Sequence, residues 1–127
     1  MDLTSRTKSR AKAVEILYAY EMTNELNFNE TDDYTVEIVN GVIKDLEKID
    51  SIISNSLFNY TIERLNKVDK AIIRVATFEL LENKLAKQVI INEAIELTKI
   101  YTNLDDDKAK AFNNKLLDNI AKNIDGR

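Results

Sequence analysis

Between Val68 and Asn83 the chain is apolar on nearly every side. Val68, Ala71, Ile72, Ile73, Val75, Ala76, Phe78, Leu80 and Leu81 leave almost no polar face. A helix of that kind is stable only when neighbours cover it all round, so this segment predicts the centre of a helical packing. The rest of the sequence supplies the cover. Val39, Val42, Leu46, Ile49, Ile53 and Leu57 step by three or four residues and predict one long helix over about 34–58. Ala13, Ile16, Leu17 and Tyr20 mark a first helix, capped by Thr4 or Ser5 and running to about Met22. Ile91, Ala94, Ile95, Thr98 and Tyr101 form one later stripe, and Ala109, Phe112, Leu116, Ile120 and Ile124 form another. Residues 24–33 read as a loop, Thr61–Leu65 as a helical turn or two, and 103–107 as an acidic turn opening the last helix. Gln88–Ile91 is β-prone but isolated, with nothing to pair against. The 127 residues hold no proline and two glycines, too little turn chemistry for an all-β fold. The fold class is all-α, in a single domain.

Composition narrows the chemistry. There is no cysteine and no histidine, which removes thiol nucleophiles, the commonest general base and the ligands of ordinary zinc sites. A di-iron bundle needs Glu-x-x-His pairs, and the two glycines, Gly41 and Gly126, stand too far apart for a phosphate loop. No run is long enough to span a bilayer, and residues 1–12 lack the apolar core of a secretory signal. These absences point to a cytoplasmic protein that is not an enzyme, with no cofactor and no metal.

Charge is unevenly placed. Arg6, Lys8, Arg10 and Lys12 face Asp2 alone within residues 1–12, a net +3, which leaves −7 on the other 115 from a total of −4. Cations in the opening turns of a helix oppose its dipole by about 0.3–1 kcal/mol each. Nucleic-acid phosphate would offset that cost, and a merely solvated terminus is the plainer alternative. Tyr18, two turns beyond Arg10, offers a stacking surface for an unpaired base or belongs to the core. Arg74 and Glu79 lie in the apolar central segment and need partners; for Arg74 the candidates are Glu93, Glu96 or Glu79. Gly41, mid-helix, either permits close approach of another backbone or is tolerated at about 1 kcal/mol.

Several segments together resemble one family. Ser9–Tyr18 (SRAKAVEILY) is similar to the opening helix of the NusB family of bacterial transcription antitermination proteins. Val68–Leu80 (VDKAIIRVATFEL) resembles its central helix, Ile91–Lys99 (INEAIELTK) its most recognisable stretch, and Phe112–Leu117 its final helix. The resemblance implies six or seven helices in two small subdomains, approximately 1–60 and 61–127, around a shared core. It implies no catalysis. It also implies binding of the single-stranded boxA element of nascent ribosomal RNA, jointly with the small-subunit ribosomal protein NusE, in a complex that makes RNA polymerase resist termination. By position, Arg10, Tyr18 and Phe112 match RNA-facing residues of the family. Arg6 and Lys8 fall in its basic arm without a residue-exact motif, and Asp69 matches an acidic position facing the ribosomal protein; Lys12, with Arg6, Lys8 and Arg10, is an RNA-binding candidate from the basic arm of this sequence.

The chain departs from the family at several points. No proline precedes the Ile91 segment, Thr102 and Lys115 replace expected glycines, and Tyr60 stands where tryptophan is common. The family's functional acid in the turn after Tyr101 is left open among Asp105, Asp106 and Asp107. Two other functions compete: a helical protein-interaction module without an RNA role, and the module that precedes the catalytic domain in some RNA cytosine methyltransferases. The expectation is against the second, since the sequence up to Arg127 holds no stretch for a cofactor-binding α/β domain.

Overall fold

A computed structural model describes residues 5–29, 31–102 and 107–126. Six α-helices and one 3₁₀ turn account for its secondary structure: α1 (Ser5–Thr23), α2 (Asp33–Lys44), α3 (Leu46–Ser56), the 3₁₀ turn (Ile62–Arg64), α4 (Lys67–Glu82), α5 (Lys87–Tyr101) and α6 (Lys108–Asp125). No strand occurs among the described residues; the β-prone Gln88–Ile91 opens α5. A cap at Thr4 and the turn 103–106, with Asp105 and Asp106, lie outside the described residues.

The central position read for residues 68–83 is where α4 lies. It packs on α1, α2, α3, α5 and α6, and Lys70 to Leu80 is buried without interruption. Local chemistry sets its ends. Asn66 caps the start by accepting from the backbone N–H of Val68 (2.8 Å) and Asp69 (3.3 Å). Asn83 closes the other end in the left-handed conformation, at φ 58°, a geometry asparagine tolerates better than most residues.

The single helix expected over 34–58 is two helices. Asp45 leaves helical geometry (φ −107°, ψ 25°), ending α2 and beginning α3. Its N–H still donates to Gly41 O (3.2 Å) and its carbonyl still accepts from Ile49 N (2.8 Å). The chain therefore bends without losing the seam: Val39, Val42, Ile49 and Ile53 all remain fully buried. Neither glycine nor proline marks the bend, so the apolar period runs straight through it.

Gly41 is explained by a side chain rather than a backbone. A Cβ there would lie 2.8 Å from Cδ1 of Phe78 and closer still to Cε1 and Cζ. The missing methyl lets the α4 ring lie directly on α2. Gly41→Ala should therefore destabilise by about 1–2 kcal/mol, because overpacking outweighs the roughly 1 kcal/mol gain in helix propensity. Denaturant unfolding checks this; a rise in midpoint would show that Phe78 moves aside freely.

Candidate nucleic-acid interface

The basic first helix does not present its cations as one stripe. On α1, Arg10 turns inward and is 3 % exposed. Its Nε and Nη2 donate to Glu79 Oε1 (2.7 Å) and Oε2 (3.0 Å) on α4, and Nη1 donates to Glu93 Oε1 (3.1 Å) on α5. Glu79 also accepts from the Tyr34 hydroxyl of α2 at 2.6 Å, and Glu93 from Thr7 at 3.0 Å. Four helices meet on one guanidinium. Burial alone would lower Arg10's pKa, but the Glu79 hydrogen bonds and charge outweigh it and raise it. Burial, and then donation to a carboxylate, push Tyr34 up to about 12. Arg10, which the resemblance matches to an RNA-facing position, here has its fork occupied by two carboxylates and closed off from solvent.

The other candidates point outward. Lys8 is exposed and Lys12 half-buried, one turn apart on the same side of α1, and neither makes an ion pair among the described residues. Arg6 is exposed and lies over the Tyr34 ring, 4.6 Å from Cζ to centroid. Tyr18, 38 % exposed, is rotated by about 120° around α1 from Lys12. Next to it on α1, Glu15 faces the Tyr101 hydroxyl at the end of α5; burial first, and then that carboxylate, raise Tyr101's pKa.

From the end of α5 the surface continues onto α6. Thr102 donates to Asp69 Oδ1 (2.7 Å), and Asn113 donates to the same oxygen (3.1 Å) and to Thr98 (3.1 Å). Asp69 is thus half-buried and tied to α5 and α6 at the start of α4. Adjacent Phe112 is 41 % exposed, its ring held edge-on by Tyr60 at 5.4 Å and 61°. Arg64 lies over the other partner of that pair, with Cζ 4.6 Å from the Tyr60 centroid. Asp69 and Asn113, the neighbour of Phe112, thus meet where α4, α5 and α6 come together, and Glu15, one turn before Tyr18 on α1, reaches the same end of α5 at Tyr101.

Arg74 does not pair with Glu93, Glu96 or Glu79. Its Nε and Nη2 donate to Asp50 Oδ1 (2.9 Å) and Oδ2 (2.8 Å) on α3, and Nη1 donates to Glu21 Oε2 (3.1 Å) on α1. Glu79, five residues on, points about 140° away around α4. Glu21 also accepts from Lys70 Nζ at 2.6 Å. Neither Asp50 nor Glu21 stands out in sequence, since each looks like an ordinary surface carboxylate beside an apolar stripe.

A sequence model of the NusB family matches residues 7–122. The transcription antitermination protein NusB of Aliarcobacter butzleri is 37 % identical over 133 aligned residues, covering 94 % of this chain and 99 % of that one. The Listeria innocua protein of the same name is 36 % identical, covering 91 % and 95 %. Among solved structures, NusB of T. maritima superposes with a TM-score of 0.79 at 30 % identity, covering 95 % of this chain and 93 % of that one. A crystal structure of antitermination factors NusB and NusE in complex with double-stranded RNA gives 0.78 at 25 % identity, covering 93 % and 96 %.

The Glu21 cluster sets an acid-stability expectation. Lys70 first, then Arg74, hold the Glu21 carboxyl at about 2 against an ordinary 4.5, overriding the upward push of burial. A depressed carboxylate stabilises the fold above its unfolded pKa, and that contribution disappears as pH falls from about 4.5 through about 2. Glu21→Gln should lower stability at pH 7 and flatten the stability–pH curve across that window. Parallel curves for the two proteins would show that Glu21 is not coupled to folding.

Proposed function

The chain belongs to the NusB family, and on that premise we propose that it is an RNA-binding transcription antitermination factor. In this reading it takes boxA-type single-stranded RNA in nascent ribosomal RNA together with ribosomal protein NusE, as part of the complex in which RNA polymerase resists termination. Acting on nascent transcripts, it works in the bacterial cytoplasm, and among the described residues no helix is long and apolar enough to cross a membrane.

The observation that carries this reading is the likeness, over nearly the whole of both chains, to a NusB solved with NusE and RNA. The surface agrees with it. Arg6, Lys8 and Lys12 place cations on the outside of an otherwise acidic body, where they meet phosphates, and Tyr18 and Phe112 offer rings to unpaired bases. Arg10 is assigned a positioning role: it holds the helix that carries these groups. Asp69, at the α4–α5–α6 junction, faces the ribosomal partner.

Three outward cations set the electrostatic scale. Counterion release from a single strand contributes about −0.7 per phosphate contact, so log K against log salt should fall with a slope near −2. Anisotropy titration of a boxA-like RNA measures this, with and without the ribosomal protein. Lys8→Glu with Lys12→Glu should weaken binding at least tenfold and flatten the slope, and the partner should tighten binding and steepen it. Affinity indifferent to both lysines and to salt would leave only the reading of a helical protein-interaction module.

A further inference from the structure

Between the end of α3 and the outer side of α6 runs an open groove of about 390 Å³, lined by Leu57, Phe58, Phe112, Lys115, Leu116 and Asn119 among others. Phe58 is 87 % exposed, the largest exposure of any bulky apolar side chain among the described residues. A phenyl ring held in water costs free energy unless something covers it. We propose that this groove is a nucleobase site: one unpaired base of a bound RNA strand enters it and stacks on Phe58, one step beyond the base on Phe112. The proposal rests on the RNA-binding reading and extends it.

Three observations select this occupant. The groove is continuous with the proposed RNA surface, because Phe112 forms its wall and belongs to both. Its charge suits a nucleotide. Among the described residues no carboxylate lines it, in a chain with net charge −4; Lys115 lines it, and Arg64 is stacked on Tyr60, the ring that packs edge-on against Phe112. A second copy of this acidic chain brings no matching charge. The lining also combines aromatic faces with one amide, Asn119, which is the chemistry that holds a base by its face and its edge.

The test uses the full chain and a boxA-like single-stranded RNA extended by a few nucleotides, with 2-aminopurine substituted at successive positions. One position should show fluorescence quenched on binding, and Phe58→Ala should relieve the quenching there alone. Phe58→Ala should weaken binding about tenfold, the loss of one base–aromatic stack, while Phe58→Trp restores it. Phe58 is so exposed that its replacement leaves the core intact, and circular dichroism verifies that. If Phe58→Ala binds as tightly as the parent while Lys8→Glu weakens binding, RNA binding stands and the base site is wrong. If the parent binds no RNA at all, both readings fall. Should Phe58→Ala spare RNA binding but abolish self-association in sedimentation, the groove joins two copies of the chain and the base site is likewise wrong.

Discussion

Two ion-pair clamps of opposite polarity hold α1 against α4, and the arrangement of the molecule follows from them. Near its start α1 presents a cation, Arg10, to the anion Glu79 toward the end of α4. Near its end α1 presents an anion, Glu21, to the cations Lys70 and Arg74 in the first half of α4. Glu21 follows Arg10 by eleven residues, about three turns, so both side chains leave α1 on the same side. The helices run antiparallel, and only that direction satisfies both clamps. A parallel α1 would bring Arg10 toward Lys70 and Glu21 toward Glu79. Buried pairs of this kind contribute little net stability against an apolar substitute; they penalise the wrong arrangement, where charges are left unmatched.

The clamps also decide what the surface offers. Arg10 is drawn inward by Glu79, Glu93 and the Tyr34 hydroxyl around Glu79, and this fixes the rotation of α1 about its axis. With that rotation fixed, Lys8 and Lys12 are turned away from the core. A helix whose opening turns oppose their own dipole is tolerable because one of the four cations is neutralised inside, Arg6 and Lys8 are exposed and Lys12 is only half-buried. The buried Arg10 and the outward Lys8 and Lys12 alternate along one short segment, so a change of charge at position 10 acts first on the fold.

Helical periodicity made most of the architecture legible. A stripe of buried positions records which side of a helix is covered, and the all-round apolarity of 68–81 recorded that α4 is covered everywhere. Periodicity is silent where the seam survives a bend, as at Asp45, since the same apolar steps serve two helices or one. Polar partners were less legible. Arg74 and Glu79 declared themselves as charges in an apolar run, yet Asp50, Glu21 and Tyr34 are distant in sequence and ordinary in type, and only three-dimensional placement assigns them. The candidate site was read as a basic arm and two rings. Its division into inward Arg10 and outward Lys8 and Lys12 was not, because 100° per residue gives relative angles and the packing of α1 sets their origin.

The central claim is that Arg10 is bound to Glu79 inside the protein and orients α1. A double-mutant cycle in denaturant unfolding, with Arg10→Met, Glu79→Gln and the pair, measures that bond directly. Each single change should cost on the order of 3–5 kcal/mol by stranding a buried charge, and the pair should cost far less than the sum, giving a coupling of at least about 2 kcal/mol. Single changes that cost little and add within about 0.5 kcal/mol would contradict the account and return Arg10 to the surface as a cation free to meet RNA.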